Sequence, residues 1–221
     1  MDLVLKDIGI KAPGATPAIS VGGEQTLNLY TEGMVIIEGS TIDLSFMPEL
    51  PFAPGGQNAI SCYKLVIWSA DNLVIKGGDG KDGNSNPNGR AQAGGSGGAA
   101  IAVEADVTIN CSNVKIGGGK AGDGGDGLYK GYGGAGAYPV QKRNEAMEAE
   151  IYIKEGAENV VLLHSENGED GEGDVWTGID PLFPPDPPEI ENPDIGLGDL
   201  VLPPIGGGDV LPPPEILFPQ D

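Results

Sequence analysis

The sequence predicts an all-β chain, a short-strand solenoid or sandwich, with glycine-rich polyproline-II-like excursions and an extended Pro-rich C-terminal arm. Three observations carry this. Apolar residues alternate with polar ones in short runs, the pattern of half-buried strands. The runs recur as a unit and lead into glycine tracks, as in "NLVIKGGDGKDGN" from Asn72 and "NVKIGGGKAGDGGDG" from Asn113. From Pro181 the text changes to proline, acid and isolated apolar residues. These shifts divide the chain into an N-terminal β region (1–64), a glycine-rich β-repeat body (65–180) and a Pro-rich acidic docking arm (181–221).

The repeat defines the elements in order. A first, weaker copy is "LNLYTEGMVIIEGS", with Leu27, Leu29, Val35 and Ile37 in alternation. Next comes "LVIWSADNLVIKGG": Leu65 and Ile67 in one strand, a corner at "SAD", then Leu73 and Ile75 after Asn72. "VTINCSNVKIGGG" repeats it with Val107, Ile109, Asn113, Val114 and Ile116, and "IYIKEGAENVVLL" with Ile151, Ile153 and Asn159. Asparagine suits the corners because it tolerates the left-handed region and bonds its own backbone. Such units cannot close a core alone. Stacked, they share one apolar face as solenoids do, with an antiparallel sandwich as the competitor.

Composition bounds the rest. Gly 38 and Pro 19 make 57 of 221 residues, a share near that of low-complexity chains. Hydrophobic residues at 39% supply surface to bury, while aromatics at 5% imply a thin core. The net charge of −21 opposes binding to nucleic acid or an anionic membrane. Cys62 and Cys111 read as two buried thiols rather than a disulfide framework. "MDLVLKDIGIKAPG" lacks the pattern of a secretory signal. No window nears 18 continuous apolar residues, so no membrane insertion is expected. Synthesis in a host cytoplasm without a signal peptide follows as the expectation.

Within the tracks, glycine recurs at a spacing of three: Gly77, Gly80, Gly83, Gly89, Gly95 and Gly98, interrupted by Asn86 and Gln92, then Gly119, Gly122, Gly125, Gly131 and Gly134, interrupted by Leu128 and followed by Ala137. Three is the period of polyproline II, whose backbone has no internal hydrogen bonds. Packed side by side, such rods can bond one another, and glycine permits the approach. "NSNPNG" (Asn84–Gly89) and "LYKGY" (Leu128–Tyr132) mark reversals, giving two rods per track. The alternative is flexible loops.

The stretch "GGSGGAAIAVEADVTINCSNVKIGGGKAGDGGDGLYKGYGGAGAYPV" (Gly94–Val140) resembles the glycine-rich modules of tailed-bacteriophage fibre and adhesin proteins. The resemblance covers roughly residues 65–140. It implies a polyglycine-II sandwich whose tip loops recognise a host surface. The glycine runs here are shorter and more acidic, and the tail differs from that family.

The tail holds twelve of the nineteen prolines, which excludes helix and central strand. Its apolar residues recur as Leu182, Phe183, Ile190, Leu200, Leu202, Ile205, Val210, Leu211, Ile216 and Phe218. "GDLVLPPI" from Gly198 returns as "GDVLPPPEIL" from Gly208. No Lys or Arg follows Lys154, against sixteen Asp and Glu from Glu155 to Asp221. We read an arm that docks on an apolar, basic-rimmed surface of another virion protein.

Little points to catalysis, and no catalytic residue, metal ligand or cofactor is assigned. "GGDGKD" (Gly77–Asp82) starts like a calcium nonapeptide, but Asn84 stands at its apolar position. "SENGEDGEGD" reads as a solvated acidic loop. His164 is isolated from any metal spacing, and nucleophile elbows and phosphate loops are missing. Tyr129 and Tyr132, at a reversal, are the candidate receptor contacts. The function expected is therefore a non-enzymatic virion structural protein of a tailed phage: fibre, spike, collar or head decoration, oligomeric in the assembly. The alternative is an adhesin binding a host cell-surface receptor.

Overall fold

A computed structural model of the chain describes residues 1–14, 16–42, 50–69, 71–143 and 147–175. Its strands in chain order are β1 (Asp2–Lys11), β2 (Ile19–Ser20), β3 (Thr26–Glu38), β4 (Ile60–Cys62), β5 (Lys64–Ser69), β6 (Asn72–Lys76) and β7 (Asn86–Arg90). Then follow β8 (Ile101–Val103), β9 (Asp106–Ile109), β10 (Val114–Gly117), β11 (Gly127–Tyr129), β12 (Val140–Lys142), β13 (Glu150–Ile153) and β14 (Val160–Leu163). Among the described residues there is no helix, and every pair of these strands runs parallel.

One curled, half-barrel-like sheet holds eight strands in the order β13-β9-β5-β3-β6-β10-β14, with β1 also along β3. Its centre is β3, 13 residues long. The first half of β3 pairs with β5 and the second half with β6. Alternation puts Leu27, Leu29, Val35 and Ile37 on the inner side, each fully buried. Register carries the pattern outward: Leu27 faces Leu65, which faces Val107, which faces Ile151. On the other flank Val35 faces Leu73, then Val114, then Val160. A second parallel sheet, β12-β8-β4-β2, aligns Ile60, Ile101 and Val140. Residues of both sheets join in one core cluster. Each fully buried Ile or Leu stabilises by about 1.5–3 kcal/mol relative to exposure.

This overturns the expected short-strand solenoid or sandwich. An antiparallel sandwich needs hairpins, whereas here, β1 apart, strands are joined by their counterparts about forty residues on, in parallel. The strands are also not uniformly short. β1 and β3 run for 10 and 13 residues and gather both flanks into one mostly parallel curled sheet. Glycine explains why β3 does not break where later units turn. Gly33 takes a left-handed φ of 66° within the strand, which costs glycine little. The Gly33 N–H donates to the Asp71 carboxylate at 2.8 Å, and the Met34 N–H to Asp7 Oδ1 at 3.2 Å. Later units do turn: Asn113 and Asn159 adopt φ of 59° and 56°. The Asn159 side-chain amide donates to Asn113 Oδ1 at 2.9 Å, tying one corner to the next.

The glycine tracks are part of the body and not independent excursions. The N–H groups of Gly77, Gly80, Gly83 and Asn86 donate to the carbonyls of Gly117, Lys120, Asp123 and Asp126 at 2.7–2.9 Å. Those of Gly119, Gly122 and Gly125 donate to Gly98, Gly95 and Gln92 at 2.8–3.0 Å. Gly98, Gly95 and Gln92 in turn donate to Gly78, Lys81 and Asn84, so the chain reverses between residues 84 and 92. Bonds therefore recur every third residue on more than one side of each track. Side chains would obstruct this: a Cβ on Gly119 would overlap the Gly78 carbonyl, and one on Gly122 the Lys81 carbonyl.

The expected Pro-rich C-terminal arm, with all ten of its assigned docking residues from Leu182 to Phe218, lies outside the described residues.

Candidate functional site

Both glycine tracks turn back at their outer ends, and the turns form the candidate site. β7 and β11 pair there in parallel, with Gly127 opposite Asn86 and Tyr129 opposite Arg90. Their position follows from the lattice below them, because every glycine bond fixes how far each track extends before it reverses. Two clefts of about 440 and 620 Å³ flank the pair. In the first, Gln92 Nε2 donates to the carbonyls of Leu50 and Phe52 at 2.8 and 3.0 Å, pinning that segment beside Arg90. The second is walled by Pro87, Leu128, Asp126 and Glu172.

The two tyrosines assigned from sequence share this end but not the same exposure. Tyr132 is 42% exposed, while Tyr129 is half-buried against β7. The Lys130 ammonium sits 5.7 Å from the Tyr132 ring centroid, a cation–π arrangement that orients the ring. Lys130 is itself fixed by Asp170 at 2.7 Å. The second oxygen of Asp170 accepts the Gly133 N–H at 3.0 Å. The Lys130 hydrogen bond and the Gly133 N–H hold the Asp170 carboxyl below its ordinary range, and the same contact raises the Lys130 ammonium.

Leu128, Lys130 and Asp170 were not assigned from sequence. Leu128 is 51% exposed beside Tyr129. Lys130 and Asp170 are forty residues apart, one unit length, which is the signal that could have paired them. Together these side chains make a fixed, partly apolar, partly charged surface suited to stacking on a sugar ring or on another protein.

The acids elsewhere in the tracks cap backbone. Asp79, Asp82 and Ser85 accept the N–H groups of Lys120, Asp123 and Asp126 at 2.8–3.1 Å. Asp123 and Asp126 accept those of Glu169 and Glu172 at 2.8 and 2.7 Å. Burial alone would raise the Asp79 carboxyl. The Lys76 hydrogen bond, the Lys120 N–H and both ammonium charges outweigh it, and the carboxyl lies below its usual value. Among the described residues no group of three His, Cys, Asp or Glu side chains is placed to hold a metal ion. Burial pushes the Cys62 thiol up to about 12 and raises Cys111; both thiols are free. His164 packs on Tyr138, ring centroids 4.6 Å apart. Comparison with protein-family models, with curated proteins and with solved structures finds no match to the chain.

Proposed function

We propose that the chain is a non-enzymatic structural protein of a tailed-phage virion. Its β and glycine body stands on the particle surface, and residues 181–221 anchor it to a neighbouring subunit. The observation that carries this reading is the three-residue hydrogen-bond ladder between glycine tracks. Ordering glycine costs about 1–2 kcal/mol per residue. A chain that spends so much of its length on rigid backbone, with few side chains at the contacts, suits a mechanical role better than a chemical one. The resemblance of residues 65–140 to phage fibre and adhesin modules points the same way.

Mass spectrometry of purified particles is the test. Peptides of the body should be present in stoichiometric amount, and deletion of 181–221 should remove them. Their absence from particles carrying the intact gene would refute the reading.

Tyr132 and Leu128, exposed at a rigid end, favour one alternative, a host-surface adhesin. Changing both to Ala would then lower adsorption of particles to cells at least tenfold without altering incorporation. Unchanged adsorption would leave the purely structural role.

A further inference from the structure

A groove lies where the outer face of β6, β10 and β14 meets the first residues of the glycine tracks. Its volume is about 390 Å³. Val74 and Leu163 contribute apolar wall, and Lys76, Lys115, Lys120 and His164 stand around it. Register explains the grouping. Lys115 lies between Val74 and Val161 across three parallel strands, and Gly117 lies between Lys76 and Leu163. Glycine at 117 leaves room that a side chain would fill. Val161 and Leu163, two positions apart in β14, are 42% and 44% exposed. Lys76 pairs with Asp79 at 2.9 Å. Among the described residues neither the Lys115 nor the Lys120 ammonium forms an ion pair.

In a chain of net charge −21 with only 12 Lys and Arg, Lys115 and Lys120 beside one apolar groove, with Lys76 held by Asp79, are a local concentration of positive charge. Residues 181–221 have the complementary chemistry. They carry acids and no Lys or Arg, and in "GDLVLPPI" and "GDVLPPPEIL" an acid directly precedes an apolar run.

We propose that this groove receives the segment 198–218 of a second copy of the same chain, its aliphatic side chains against Val74 and Leu163 and its acids toward Lys115 and Lys120. This rests on the reading that the arm reaches a neighbouring subunit, and it names that subunit. Proline lowers the entropy lost when such a segment binds, and opposite charges steer the encounter. Each copy has one arm and one groove, so the contact is heterologous and builds a ring or an open chain of subunits.

Sedimentation velocity on the full chain tests this. The wild type should sediment as oligomers at about 10 μM and dissociate when salt rises from about 0.05 to 0.5 M, where the Debye length falls several-fold. Lys115→Glu with Lys120→Glu should weaken association at least tenfold, and so should Asp199→Lys with Asp209→Lys. Mixing these two variants should restore oligomers, because the native arm of one meets the native groove of the other. Leu163→Ser gives an uncharged check on the groove, and thermal melts confirm that each variant is folded.

A wild type that stays monomeric overturns the proposal, as do oligomers indifferent to the groove variants. So does a monomer whose Lys115 and Lys120 instead bind polygalacturonate, which would make the groove a glycan site. Oligomers that never enter particles would sink the virion reading and leave this contact standing. A particle-borne protein that sediments as a monomer would do the reverse.

Discussion

Gly119 shows how little room one residue has in this molecule. A methyl group there would meet the carbonyl of Gly78 and the backbone of Gly77. Neither neighbour can rotate away as a side chain could. Gly119→Ala should therefore destabilise by about 3 kcal/mol, at the upper end of overpacking costs, and lower the melting temperature by roughly 10 °C. Gly9→Ala is the control: nothing lies within 4 Å of its added Cβ, and its effect should stay within about 0.5 kcal/mol. Equal melting temperatures for the two variants would show that the tracks are not close-packed.

At the scale of an element, the unit is the track and its caps. Hydrogen exchange should be slow at Gly80, Gly83, Gly122 and Gly125, whose N–H groups are all bonded to neighbouring tracks. Protection there should match that of β5. Exchange at the rate of an open chain would remove the rigidity on which the structural reading depends.

The caps add a pH dependence. The folded Asp79 carboxyl lies below its ordinary value near 3.9, so the unfolded chain takes up its proton first as pH falls. Its contribution is complete above about pH 4 and is lost as pH drops through the folded value. The stability difference between wild type and Asp79→Asn should thus shrink below pH 4. A difference that stays constant from pH 7 to 2 would mean that this carboxylate does not serve as a charged cap. Comparing two chains that differ at one carboxyl cancels most of the general effect of neutralising so acidic a protein.

Over the whole molecule, charge works against compactness. The ladder of caps links Asp82 to Asp123 and Asp123 to Glu169 through main-chain hydrogen bonds, so acids stack unit upon unit. The hydrogen bonds are local, while the repulsion sums over a net charge of −21. Raising ionic strength from about 0.02 to 0.3 M shortens the Debye length to a few ångströms and should raise the melting temperature by several degrees. A fall instead would mean that the few ion pairs, such as Lys130–Asp170 and Lys64–Asp106, outweigh the repulsion.

Local periodicity was legible without coordinates. The alternation that aligned Leu27, Leu65, Val107 and Ile151 on paper is the register in which those residues pair, because strand alternation and parallel pairing share one period. Two of the three corner asparagines were legible for a similar reason: Asn113 and Asn159 carry their conformational preference with them, whereas Asn72 lies in β6 without a left-handed φ. The sheet was not. Whether the units stay as separate short strands or fuse into one curled sheet depends on β3 continuing through Gly33, and glycine permits either outcome. The Lys130–Asp170 pair, the capping role of Asp79 and Asp82, and the lysines around the Leu163 groove also escaped, since each is made through space by residues from different strands or tracks. Sequence specifies what each segment prefers. Only the packed structure brings distant segments close enough for charge, sterics and hydrogen bonding to choose among those preferences.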